Sequence, residues 1–441
     1  MHVPLQRFLT IHILQMKKIV LTFAALAATA TSFAGGLLTN TNQHAAFLRN
    51  PSRQAMIGID GVYTNPAGVA FMPQGFYLGV TWQAATQKRQ MNVTNPLYAG
   101  NVNNPNATRT FEGKVAAPVI PSIQAAYVIN DKWSVSANFA IAGGGGKCEF
   151  EQGLPLFETL VASQIPTGMG YTFNQNLTGE QYFYGLQLGA TYKVAENISV
   201  FGGVRGILAN SSYTGSITNI MVNHPVYGLV PSGSEDYKLD CKQDGLGFQP
   251  IIGANFKFGK LNIGAKYEFR AKINLENESN NTTNVDEKMP AYANGEKVRS
   301  DIPALFTIGA QYEVTDNIRA MVGANYYFDK DAKGSATAVS DDTYEITLGA
   351  EWDIDENWTV GIGGQRTQYG FADSDMTDTS FNISSYGLCV GGAYKFSDKL
   401  KLNFGYMHSF YDDHKFTNAN GTACNYTRKN DVVGVSLDFK F

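Results

Sequence analysis

The sequence is poor in charge. Lys, Arg, Asp and Glu make up 16% of its 441 residues, against roughly 25% in soluble domains. It has four cysteines, and Cys148, Cys241, Cys389 and Cys424 match no zinc or redox spacing. After residue 34 the histidines are His44, His224, His408 and His414, none of them in a Gly-x-Ser-x-Gly or His-Glu-x-x-His context. The glycine run at 143–146 lacks the Lys-Ser/Thr ending of a phosphate loop. Nothing here points to an enzyme, a metal or a cofactor. A formal charge of −4 argues against a nucleic-acid partner. No stretch beyond residue 34 offers about 18 consecutive apolar residues, so no membrane-spanning helix is expected. If the chain crosses a membrane, it does so as a closed barrel, because only that otherwise satisfies its backbone.

What is present is glycine and aromatic residues: 45 Gly, 23 Tyr and 27 Phe. Gly and aromatics with few charges suit a β-rich wall with interfacial aromatic girdles. They also suit a secreted β-protein. The N-terminus bears on this choice. Met16-Lys17-Lys18 precedes the apolar run Ile19 to Ala30, then Ser32-Phe33-Ala34. That order is a positive region, an apolar region and a small-x-small cleavage site. Residues 1–34 therefore read as a signal peptide, with 1–15 a mis-called start ahead of Met16 and Gly35 the first mature residue. Removal takes Arg7, Lys17 and Lys18 and no acid, leaving a net charge of −7. Export permits disulfides. Cys148 and Cys241 would both lie near loop mouths and are the candidate pair, with free thiols the other reading.

From about residue 75 onward, stretches of alternating apolar and polar residues are joined by short polar turns and longer polar loops by turns. Strict alternation predicts strands, and regular recurrence predicts a sandwich or barrel. The short turns fall at 130–131, 196–197, 259–260, 316–317, 355–357 and 397–399. Six turns give twelve strands, and one more at each end makes fourteen. Seven long loops fall at about 94–109, 143–178, 215–237, 276–299, 330–340, 371–379 and 412–426. Short turns on one side, long loops on the other and an even count predict an antiparallel transmembrane β-barrel with periplasmic termini. Its two faces are readable. Tyr344, Ile346, Leu348, Ala350, Trp352 and Ile354 alternate with Glu345, Thr347, Gly349, Glu351 and Asp353. Arg205, Lys266, Glu268 and Arg319 share the polar face, which in a barrel is the lumen. The acidic pairs Asp341-Asp342 and Asp412-Asp413 read as loop-top charges, or as contacts to divalent ions or lipopolysaccharide.

Residues 35–74 do not alternate. Their apolar content (Phe47, Leu48, Ile57, Ile59, Val62, Tyr63) disfavours a disordered tail. The expected place for them is the lumen, as a plug. The domain plan is thus signal peptide 1–34, plug 35–74 and barrel 75–441.

Asn65-Pro66-Ala67-Gly68 ends this segment just before the first strand. Asp301-Ile302-Pro303-Ala304 opens a later strand, and the chain ends on Phe441. In these features the sequence resembles the FadL/TodX family of outer-membrane channels for long-chain fatty acids and aromatic hydrocarbons. The resemblance implies an all-β, fourteen-stranded barrel with an N-terminal hatch. It implies capture of a hydrophobic small molecule by apolar outer loops, an internal pocket, and lateral exit at a kink in the third strand. It implies partners as well: outer-membrane lipid and lipopolysaccharide, and the barrel-assembly machinery through Phe441.

Two segments are candidates for these parts. The 143–178 loop carries Leu154, Leu156, Phe157, Leu160, Val161, Ile165 and Met169. They form either a capture groove or a helix packed down as a lid or against its neighbours. The third strand, Trp133 to Ile141, runs into Gly143, Gly144, Gly145 and Gly146. Such a run weakens ladder pairing and marks either a lateral gap or a strand-to-loop transition. The leading expectation is a channel for hydrophobic compounds, best guess long-chain fatty acids. The alternatives are a surface receptor or adhesin, for example one binding haem, and a general water-filled porin.

Overall fold

In a computed structural model the alternating segments become the staves of one closed antiparallel barrel. The structure describes residues 38–40, 42–166, 168–334, 340–379, 381–418 and 422–441. The expected signal peptide and the expected mature start at Gly35 lie outside the described residues. The staves are β1 (Gly75–Thr94), β2 (Thr108–Val128), β3 (Trp133–Phe150), β4 (Gly170–Ala195), β5 (Ile198–His224), β6 (Tyr237–Phe258) and β7 (Leu261–Glu268, resuming as Asn274–Ser279). They continue as β8 (Lys297–Arg299, resuming as Ala304–Glu313), β9 (Ile318–Phe328), β10 (Thr343–Asp353), β11 (Trp358–Gln368), β12 (Ser385–Ser397), β13 (Leu400–Tyr411) and β14 (Ala423–Lys440). β14 pairs with β13 on one side and with β1 on the other, from Tyr77↔Lys440 to Thr94↔Ala423. The sheet has no free edge, so its edge amides are satisfied. Among the described residues no helix is long and apolar enough to cross a membrane.

The period-2 pattern fixes which side chains face out. On β10, Tyr344, Ile346, Leu348 and Trp352 are exposed, while Glu345, Thr347 and Glu351 are buried. On β14, Val433, Val435 and Leu437 are exposed and Ser436 is buried. The expected inward charges are inside and paired. Glu268 accepts from Arg205 Nη1 and Lys266 Nζ, both at 2.6 Å. Ala304, where β8 restarts after the break at 300–303, is buried.

Two expectations are corrected. The loop placed at 143–178 is much shorter, since β3 runs on to Phe150 and β4 starts at Gly170. The glycine run therefore lies inside a strand. The Cys148–Cys241 bridge is absent, and all four cysteines are free and buried. Cys148 sits on β3 and Cys241 on β6, with β4 and β5 between them. Three strand spacings are roughly 14 Å along the wall, too far for a disulfide. Both thiols join one apolar cluster, with Phe150, Tyr213 and Cys424.

Candidate functional site

Residues 42–74 are held by side chains from around the wall. They contain α1 (Ala45–Arg49), α2 (Gly61–Thr64) and a 3-10 turn, Pro66–Phe71. Short irregular pieces leave backbone carbonyls without partners, and buried carbonyls need them. The wall supplies donors. Gln187 Nε2 donates to Val62 O at 3.0 Å, Thr191 Oγ1 to Pro66 O at 3.0 Å and Ser199 Oγ to Ala67 O at 2.6 Å. Lys266 Nζ donates to Tyr63 O at 2.8 Å and Asn262 Nδ2 to Ala55 O at 2.6 Å. In the quoted motif, Pro66 opens the 3-10 turn, Ala67 and Gly68 are buried within it, and Asn65 Nδ2 donates to Met56 O at 3.2 Å.

The strongest tie is ionic. Glu351 accepts from Arg49 Nε and Arg53 Nη1, both at 2.7 Å, and lies 3.4 Å from Arg319. Glu351, Arg49 and Arg53 are all buried. The wall admits this segment through inward-facing glycines. A Cβ at Gly349 would overlap the Asn50 side-chain amide. Composition records that glycine is abundant. Which glycines face the segment emerges only once the polar face of each strand is set against it.

At the opposite end, the loop with the candidate capture residues forms α3 (Pro155–Gln164). Leu154 and Val161 are buried, and Leu156, Phe157, Leu160 and Ile165 are partly buried. Met169 is half-buried in the turn before β4. The helix is thus seated on Tyr171, Phe173, Ile217 and Ile220. It also reaches a larger apolar cluster that includes Met91, Tyr98, Tyr292 and Phe381. The helix is packed down against these neighbours. Sequence reasoning missed the anchor. Glu158 is 1% exposed, lies 2.6 Å from Arg109 Nη1 and accepts from Tyr171 Oη at 2.7 Å. One acidic residue in an apolar helix was the available signal.

The glycine run holds the largest irregularity of the wall. Between β2 and β3 the register goes from Ala116↔Lys147 directly to Ser122↔Ala140. Residues 117–121 and 141–146 do not pair with each other. β2 contributes Pro118 and Pro121 here, which lack amide donors. β3 contributes two bulges against β4, between Ile141 and Gly143 and between Gly144 and Gly146. Gly144 has φ +72°, and a Cβ there would stand 2.6 Å from Gln181 O, so only glycine fits.

A cavity of about 200 Å³ lies against this break. Val115, Ile120, Ile141, Gly143, Gly144, Gly146 and Cys148 line it on the side of the break, and Ala85 and Val432 elsewhere. Its polar part includes Arg89 and Arg428, which are direct cross-strand partners. Gln87 Oε1 accepts from Arg89 Nε at 2.7 Å and from Arg428 Nη2 at 3.1 Å. Among the described residues no carboxylate lines the cavity.

No family model and no curated protein matches the sequence. Solved structures do match the fold. A FadL homologue of Pseudomonas aeruginosa shares 16% identity over 92% of this chain and 100% of its own, with a TM-score of 0.67. The toluene transporter TodX of Pseudomonas putida shares 14% identity over 88% of this chain and 95% of its own, at TM-score 0.59. The toluene transporter TbuX of Ralstonia pickettii shares 13% identity over 89% of this chain and 98% of its own, at TM-score 0.54. Identities this low speak for architecture alone: the chain has the fourteen-stranded barrel fold of the FadL-homologue and TodX structures.

Proposed function

We propose that this protein is a passive outer-membrane channel, not an enzyme, that takes up hydrophobic small molecules, with long-chain fatty acids the preferred class. The observation that carries the reading is the unpaired stretch between β2 and β3 opening beside the 200 Å³ cavity. An apolar ligand gains about 25 cal/mol per Å² on leaving water, so a water-filled route offers it little. In this reading residues 42–74 act as a plug, the α3 lid gates entry from outside, and the wall break is the exit into the membrane. The exposed apolar outer face supports a membrane setting. The fold shared with the structures named for hydrocarbon transport supports the ligand type. The paired guanidiniums of Arg89 and Arg428 beside Val115, Ile120 and Ile141 support a carboxylate head on an apolar tail.

The test is uptake by cells that lack the gene, complemented with wild type or with Arg89→Gln/Arg428→Gln. Oleate uptake is expected to depend on the wild-type protein and to fall at least tenfold in the double variant. Toluene entry is expected to change little between them. Uptake of both compounds that is the same with and without the protein would sink the channel reading.

A further inference from the structure

We propose a second ligand site, at the short-turn end of the barrel, that binds a medium-chain amphiphile through its carboxylate. A cavity of about 250 Å³ lies between residues 44–60 and the β12–β13 turn, at the far end of the lumen from the α3 lid. Its lining is charge-imbalanced. Arg49, Arg53, Lys395, Lys399, Lys401 and Lys440 face three carboxylates, Asp60, Asp398 and Asp438.

Those carboxylates are already engaged. Asp60 accepts from Arg53 at 2.7 Å, Asp398 pairs with Lys395 at 2.6 Å, and Asp438 meets His44 and Asn403, both at 2.8 Å. Glu351, behind the lining, is held by Arg49, Arg53 and Arg319. Lys401 is left over. It is half-buried on the inward face of β13 and makes no hydrogen bond or ion pair among the described residues. Its cross-strand partner on β12 is another cation, Lys395. Like charges placed directly opposite are unfavourable, and a partly desolvated ammonium whose nearby acids, Asp438 and Glu351, are held by other partners is costly. A bound anion removes both penalties.

The rest of the lining says what kind of anion. Met56, Ile57, Ile59, Met72, Tyr77 and Leu400 supply the apolar part of the lining. Inorganic phosphate would leave that part wet. A carboxylate with a short apolar tail covers it. At about 250 Å³ the cavity has room for a medium chain. The site is separate from the Arg89–Arg428 cavity and does not require the lateral route.

The experiment uses the full-length protein in phosphatidylcholine nanodiscs carrying Arg89→Gln/Arg428→Gln, so that binding in the upper cavity does not contribute. The probes are octanoate, octanol and inorganic phosphate, followed by calorimetry. Octanoate is expected to bind, and Lys401→Met to weaken it at least tenfold. Octanol is expected to bind more weakly than octanoate and equally to both proteins. In unmutated protein, octanoate and not octanol is expected to protect Lys401 from acetylation, read by mass spectrometry. This footprint needs no variant at Lys401. Superimposable octanoate isotherms with and without Lys401, or equal acetylation with and without octanoate, would overturn the proposal. Phosphate binding as tightly as octanoate would overturn the amphiphile assignment.

Discussion

The Leu156 amide donates to Asp378 Oδ2 at 2.6 Å, joining two loops 222 residues apart. Leu154, at the N-cap of α3, has no side-chain acceptor, so the helix borrows its cap from the loop after β11. Asp378 Oδ1 also accepts from Tyr426 Oη on β14 at 2.6 Å. Asp378→Ala removes both bonds. A lost cap costs about 1 kcal/mol, and hydrogen exchange of amides 156–164 should rise about fivefold. Asp378→Asn keeps an acceptor and should recover part of that protection. Unchanged exchange in the alanine variant would show that apolar packing alone seats α3.

The second anchor of α3 is buried. Glu158→Ala leaves the Arg109 guanidinium without its carboxylate in a dry setting. Breaking one side of such a pair costs about 3–5 kcal/mol. Limited proteolysis should then cut between residues 151 and 169 while the barrel stays resistant. The double change Glu158→Met/Arg109→Met removes both charges and should resist cleavage far better than either single change. A double variant as labile as the singles would mean that the pair does more than neutralise its own burial.

Much of this architecture is legible in the sequence, because a two-residue period at a membrane-facing wall leaves little freedom. Tyr344 to Trp352 face out and Glu345 to Glu351 face in because a one-residue slip would invert every one of them. The turn at 196–197 is legible because Ala195 and Ile198 bound it directly. Contacts between distant segments are not encoded locally. Nothing near Asp378 points to Leu156, and nothing near Glu351 points to Arg49. The glycine run shows the same limit. Residues 143–146 mark a weak ladder, but the break also needs Pro118 and Pro121 on β2 and the register that sets them opposite.

Asp329, in the turn after β9, gives a pH dependence with a definite sign. Burial raises its carboxyl to about 6. A folded-state value above the ordinary carboxylate range adds stability when the group is protonated. That contribution is complete at low pH and disappears as pH rises through 6. Hydrogen exchange around 329–331 should therefore slow as pH is lowered from 7.5 to 5, after correction for intrinsic rates. Asp329→Asn should flatten the dependence and protect the turn at pH 7.5. A turn that loosens on acidification would contradict the assignment.

Glu351→Gln tests whether residues 42–74 close the lumen. It removes the one carboxylate that Arg49 and Arg53 share, although Asp60 still holds Arg53 at 2.7 Å. The loss is on the order of 3–5 kcal/mol, concentrated where this segment meets β10. If the segment is the plug, single-channel conductance in planar bilayers should rise and become noisy, and cells should grow more sensitive to large antibiotics. A quiet variant with wild-type conductance would mean that the carbonyl contacts to Gln187, Thr191 and Ser199 hold the segment unaided.

The wall break can be closed from the proline side. Pro118→Val/Pro121→Val returns two amide donors to β2 without touching the cavity arginines. Valine also suits a half-buried strand better than proline does. New pairing with β3 should narrow the unpaired stretch, leaving heat-modifiable migration of the barrel unchanged or strengthened. Oleate binding to the purified protein should persist, since Arg89 and Arg428 are intact, while uptake by cells should fall severalfold. That separation of binding from passage is what a wall exit requires. Gly144→Ala is the contrasting change. It forces a Cβ against Gln181 O at φ +72°, should cost about 1–3 kcal/mol of stability, and cannot by itself distinguish strain from closure. Full uptake through the proline double variant, with two new β2–β3 hydrogen bonds seen by exchange, would leave the lateral route without support and send the ligand past residues 42–74.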